Sequence, residues 1–137
     1  MITAEEYFGN KPHTEEQQRA ANSLLEKVNA MLGSLIWAYP IDKDTGTSIS
    51  GVHGGAGDGG FRLPDSKTGA AKSKHKTAHA VDVFDPENAL DTSIEDDLLL
   101  EFGLFREHPD ATNGWCHLQD VPPGAWRPDN AKRTFYP

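Results

Sequence analysis

Ser73-Lys74-His75-Lys76-Thr77-Ala78-His79-Ala80-Val81-Asp82, answered downstream by Trp115-Cys116-His117, is the pair of segments that decides how this chain folds. His75, Asp82 and His117 form a donor set suited to zinc. Two imidazoles and one carboxylate leave the fourth tetrahedral position open to water, the arrangement of a catalytic rather than a closed structural site. Ligands must converge to about 2 Å from one ion. In a continuous strand His75 and Asp82 would lie roughly 23 Å apart, and in a helix about 10 Å apart along the axis. Neither regular element suits, so His75 is expected in a loop that turns back over the start of a strand carrying Asp82. His79 is a rival ligand, because on a helix it would share a face with His75. Ala78 to Phe84 alternates like a strand, however, which points His79 away from Asp82.

Around these segments the chain reads as helix first, then short strands and irregular loops. Thr14 and Gln17 form a capping-box pattern, and Ala21, Leu24, Leu25, Val28, Met31 and Leu32 repeat at helical spacing up to Gly33, a natural C-terminal cap. Leu35 to Tyr39 and Ser48 to Val52 are short strand candidates separated by a polar turn over Asp42 to Gly46. Gly54 to Gly60 is too glycine-rich for regular structure. Gly55, Gly57 and Gly60 match the spacing of a dinucleotide-binding turn, but Phe61-Arg62-Leu63-Pro64 provides no helix to follow it. A second helix is expected from Thr92, with Glu95 as capping-box partner and Ile94, Leu98, Leu99 and Phe102 on its buried side before Gly103. Trp115 to Leu118 is a last strand, and the prolines after it predict a wrapped, irregular tail. The expected fold class is α+β, a small antiparallel sheet with flanking helices in one domain spanning residues 1–137.

Thirteen Lys and Arg against twenty-one Asp and Glu give a net charge of −8, which argues against a nucleic-acid partner. Lys67, Lys72, Lys74 and Lys76 are the local exception; they surround His75 and suit an anionic group, although a solvated loop would look the same. The single cysteine excludes an intrachain disulfide. No export signal is visible at Met1 to Glu6 and no stretch approaches the roughly 20 apolar residues of a membrane span, so a soluble chain made in the cytoplasm is expected. His13, His53 and His108 read as surface or turn residues. A glycosidase reading built on Asp96 and Asp97 is weak, because neighbours on a helix point in different directions.

Ser50-Gly51, Gly60-Phe61-Arg62, Ser73-x-His75 through Ala80-x-Asp82, and Trp115-x-His117 follow one another in an order that resembles the zinc D-alanyl-D-alanine carboxypeptidase family. That family includes D,D-dipeptidases and phage L-alanyl-D-glutamate endolysins and shares the hedgehog/DD-peptidase fold. The likeness is best to short phage and prophage members and covers nearly the whole chain, through the terminal Phe135-Tyr136-Pro137. It implies Zn2+ on His75, Asp82 and His117. It also implies Arg62 stabilising negative charge on the substrate oxygen, Ser73 near the substrate, and a peptidoglycan stem peptide as partner at the bacterial cell wall. Two departures stand out. Ala78 occupies a family glycine position, which a strand should tolerate. Gly114 stands where the family has an acidic general base three residues before the last histidine. Asp110, Glu107 and Asp120 are the nearby carboxylates, and of these Asp110 has the plausible loop position. The resemblance therefore implies either a stem-peptide hydrolase or a catalytically impaired zinc-holding protein of cell-wall binding or phage structure.

Overall fold

The computed structural model describes residues 2–35, 52–54, 59–129 and 131–137. Helix α1 (Ala4–Phe8), which the sequence analysis does not predict, opens with a capping box between Thr3 and Glu6. Helix α2 (Glu15–Leu35) starts as its sequence predicts: the Thr14 hydroxyl accepts from Gln17 N–H at 3.1 Å, and Gln17 Oε1 accepts from Thr14 N–H at 2.9 Å. Its buried residues are Ala21, Leu24, Leu25, Val28 and Met31. Gly33 does not end it. The helix continues because Leu35 packs against the core, which outweighs the roughly 1 kcal/mol helix penalty of a glycine. Leu35 is therefore helical rather than the start of a strand, and the rest of that candidate strand, residues 36–39, lies outside the described residues. So do the turn at residues 42–46 and all of the next candidate strand except Val52, which bridges Val83.

Strands β1 (Ala80–Phe84), β2 (Phe105–Glu107), β3 (Trp115–Gln119) and β4 (Thr134–Phe135) form one sheet in the order β1-β3-β2-β4. β3 runs antiparallel to β1 and β2, but β4 pairs parallel with β2, so the sheet is mixed. The tail is thus not wholly irregular. Asp96 Oδ1 accepts from the backbone N–H groups of Arg133 (2.7 Å) and Thr134 (3.1 Å), and this anchor holds β4 in place despite the prolines before it.

Helix α3 (Asp96–Phe102) begins four residues later than the sequence suggests, and Glu95 caps it without a side-chain hydrogen bond. The backbone before it is already engaged: the buried Asp85 carboxylate accepts from Ala89 and Leu90 N–H, and Arg106 donates to Leu90 O. A carboxylate and a guanidinium with backbone partners hold 88–93 in turns. Side chains alternate across the strands. Val81, Val83, Cys116 and Leu118 enter one core cluster with residues of α1, α2 and α3. Asp82, His117 and Gln119 point to the opposite face, where Phe135 of the edge strand β4 also lies beside Glu107. Among the described residues no helix is long and apolar enough to cross a membrane.

Candidate metal centre

His75 reaches the site through a short 3-10 turn, Lys74–Thr77, not through strand or helix. Ser73 Oγ caps the turn by accepting from His75 N–H at 3.3 Å. Ala78 closes it in the left-handed region at φ 62°, with its N–H directed to the Lys74 and His75 carbonyls. The expectation that Ala78 begins the strand is therefore corrected: it is the corner that lets residue 75 fold back over β1. A left-handed corner favours glycine. Gly60 fixes the imidazole from the other side, because its carbonyl lies 2.9 Å from His75 Nδ1. A Cβ on Gly60 would strike the Tyr7 carbonyl, so only glycine allows this close approach.

Asp82 and His117 are cross-strand partners in the β1/β3 register. His117 Nδ1 lies 2.8 Å from Asp82 Oδ1, and His75 Nε2 lies 3.2 Å from the same oxygen. The three donor atoms fall within 4.8 Å of one another, and all three residues are buried. A tetrahedral ion with ligands at 2.0–2.1 Å separates its donors by about 3.3 Å, so a zinc ion fits with small adjustments. The remaining ring nitrogens are also accounted for. His117 Nε2 lies 2.8 Å from Gln119 Oε1, and Gln119 Nε2 in turn donates to Val121 O. With one nitrogen of each ring set against a protein oxygen, the other two, His75 Nε2 and His117 Nδ1, both face Asp82. Metal-binding imidazoles are held this way.

Burial by itself would raise the Asp82 carboxyl, but hydrogen bonds from His117 and His75 outweigh it and hold the group well below the usual carboxylate range. Burial would depress the His117 imidazole; its hydrogen bond and charge attraction to Asp82 reverse that and raise it. Arg62 adds a third contact, Nη2 to Asp82 Oδ2 at 3.4 Å, while its Nη1 reaches Ser73 Oγ at 3.5 Å. All five residues singled out from the sequence thus converge, though Ser73 acts as a cap and Arg62 as a brace on the carboxylate.

The acidic residue that sequence reasoning ranked lower is the one in the site. Glu107 lies on β2 with Oε2 3.9 Å from His117 Nδ1. Burial raises its carboxyl above the usual range, with the charge on His117 pulling the other way. Asp110 is exposed on the next turn and takes part in a local contact with His108 instead. Asp120 faces away, bonded to His79 at 2.8 Å and near Lys27 at 3.6 Å. His79, the rival ligand, is thereby placed on the far side of β1. The β2/β3 register brings Glu107 there: with Phe105 opposite Gln119, residue 107 shares a face with His117. Gly114 sits in a turn at φ 88°, donating to Asn88 Oδ1, a backbone shape that disfavours any side chain there.

His75, Asp82 and His117, with Arg62, Ser73 and Glu107, line a cleft of about 460 Å³. Trp115, Pro123 and Phe135 supply apolar walls, Glu107 one edge, and Lys72 and Lys74 another. The other histidines are stacked elsewhere: His13 on Phe8, His53 on Trp115 and His108 on Tyr136. Asp96, a member of the weak glycosidase pair, is engaged by the tail backbone. No family model, curated protein or solved structure matches this chain.

Proposed function

We propose that this chain is a zinc-dependent peptidase acting on the stem peptide of peptidoglycan, of the D-alanyl-D-alanine carboxypeptidase or endolysin type and of hedgehog/DD-peptidase fold. The observation that carries the reading is the orientation of the two imidazoles. Each offers one nitrogen to Asp82 inside a cleft while Gly60 or Gln119 holds the other. A buried ion pair kept for stability alone has no need of two such outer acceptors. His75, Asp82 and His117 would hold the metal, which when bound supplies a Lewis acid and a water ionising near about pH 7.

Glu107 performs the base function that the resemblance assigns to position 114: it accepts a proton from the attacking water and returns it to the leaving amine. Its desolvated carboxyl suits that exchange, since a general base works best with a pKa near the working pH. Arg62 presents its charge at the side of the cleft where negative charge develops on the scissile carbonyl oxygen. Ser73 is no nucleophile in this scheme; its hydroxyl already serves His75 N–H. The action belongs at the bacterial cell wall, in a phage or prophage setting.

Gly114 favours a second reading, a zinc-holding wall-binding or phage structural protein without turnover. Elemental analysis combined with release of new amines from purified peptidoglycan separates the two. Stoichiometric zinc and new amines are expected. Zinc without amines would leave only the binding protein, and a chain that takes up no zinc would sink both.

A further inference from the structure

Beside the candidate metal cleft lies a second and larger hollow, about 590 Å³, and none of His75, Asp82 and His117 lines it. Pro123 and Phe135 line both, so the two share a wall. The rest of the second hollow comes mostly from the tail. Trp126 is half-buried and meets the Phe105 ring edge to face at 5.0 Å, and its indole N–H donates to Lys132 O at 2.9 Å, which fixes the plane of the ring. Tyr136 lies flat on His108, with 4.3 Å between ring centres and 12° between planes, and His108 is held in turn by accepting from Asp110 N–H at 3.1 Å. Tyr136 is nevertheless 68% exposed, so the ring face turned away from His108 is open. Rings held in fixed planes with open faces lose little freedom when a flat ligand lands on them. An extended peptide would instead use the outer edge of β4. That edge is already engaged: Arg133 O and Phe135 O accept from Arg106 and His108 N–H, and Asp96 Oδ1 takes the N–H groups of Arg133 and Thr134. Recognition is left to the ring faces, with the side chains of Thr134 and Lys132 beside them.

We infer that the hollow lined by Trp126 and Tyr136 is a sugar-binding subsite, which takes a pyranose ring of the glycan strand while the attached stem peptide enters the metal cleft past Pro123 and Phe135. This deepens the proposed peptidase reading and rests on it. A pyranose presents a flat face of C–H groups, slightly positive, which packs on the negative face of an aromatic ring. Its hydroxyl and acetamido groups reach polar side chains at the rim, the usual division of labour in a small-molecule site, and the hollow falls within the roughly 300–1,000 Å³ of such sites. Because the two hollows share a wall, one polymer carrying both sugar and peptide can fill them together. Binding of either part then raises the effective concentration of the other.

The test uses the full chain and a soluble β-1,4-linked N-acetylglucosamine tetramer with no peptide attached, followed by calorimetry and tryptophan emission, both with added zinc and in excess chelator. The tetramer is expected to bind equally well in both, since no candidate ligand lines the hollow, and to shift the emission of Trp126. Trp115→Phe should keep that shift and Trp126→Phe should lose it. Tyr136→Ala should weaken binding about two- to tenfold, the worth of one aromatic contact, and Tyr136→Phe, which keeps the ring, should bind as the wild type does. Phe84→Ala removes an exposed ring outside the hollow and should change nothing. Thermal melts show that the variants are folded. No binding of the tetramer, an unchanged affinity in Tyr136→Ala, or a shift that disappears with Trp115 would overturn the subsite. So would a sugar-free stem peptide that binds more tightly than the tetramer and loses its affinity in Tyr136→Ala, because the hollow would then be a peptide site. Release of amines from peptidoglycan by a chain that ignores the tetramer would strike the subsite and leave the peptidase reading intact. Tetramer binding by a chain that takes up no zinc and releases no amines would do the reverse.

Discussion

At the scale of single residues, the site depends on which nitrogen of each imidazole is free. Gln119 sets this for His117, and removing its acceptor leaves the ring able to turn or to change tautomer. Gln119→Leu should keep the fold and weaken zinc binding by about 10- to 100-fold, the usual effect of losing such an outer partner. Competition with a chromogenic chelator measures it, and an unchanged affinity would mean that the Gln119 contact does not orient the ring. His75→Ala, Asp82→Ala and His117→Ala should each abolish stoichiometric zinc uptake. Glu107→Gln divides the carboxylates: the rate should fall by about 10² to 10⁴ with zinc content unchanged, the range expected for loss of a general base. Asp110→Asn should leave the rate alone, since its carboxylate is exposed and outside the cleft. If Asp110→Asn were the damaging change and Glu107→Gln harmless, the assignment of the base would be reversed.

Among the elements, the corner at Ala78 shows what spacing tells and what it hides. The seven-residue gap between His75 and Asp82 dictated a turn, and a turn is there. That Ala78 would carry a positive φ was not legible, because alanine suits a strand equally well. Its left-handed backbone costs about 1–2 kcal/mol. Its buried methyl returns about 0.8 kcal/mol, and the lower unfolded-state freedom of alanine about 0.5–1 kcal/mol relative to glycine. These terms nearly cancel, so Ala78→Gly should shift a urea midpoint little, whereas Ala78→Val puts a branched side chain at a buried left-handed corner and should cost more than about 2 kcal/mol. A well-tolerated valine would contradict the left-handed conformation. The same distinction runs through the other elements. Helix α2 was readable because its cap and apolar stripe are local. The late start of α3 and the pairing of β4 were not, because Arg106 holds Leu90 from 16 residues away and Asp96 holds Arg133 from 37 residues away. Glu107 ranked below Asp110 as a candidate base because a three-residue strand is too short to declare which face its side chains take.

On the scale of the whole molecule, one face of the sheet is given to the helices and the other to the cleft, and the tail contributes Phe135 and Pro137 to the cleft lining. Phe135 reaches that position because β4 pairs with β2 beside Glu107, and β4 is held by one oxygen of Asp96. The Arg133 guanidinium, 4.0 Å over the Phe105 ring and bonded to Leu104 O, adds a second hold on the same strand. The three candidate ligands sit on β1, β3 and the 3-10 turn, none of them on the tail, so the wall and the candidate metal centre can be separated by mutation. Asp96→Ala leaves two partly buried backbone donors without their acceptor, at a cost of about 1–3 kcal/mol. Thermal stability should fall accordingly, and KM for the stem peptide should rise as the Phe135 wall loosens, while chelator competition reports unchanged zinc affinity. Asp96→Asn, which keeps an oxygen in the same place, should restore most of both losses. A fall in zinc affinity that matches the loss of stability would show instead that the tail and the metal centre form one cooperative unit, with the sheet unable to hold its ligands in place unless its outer strand is docked.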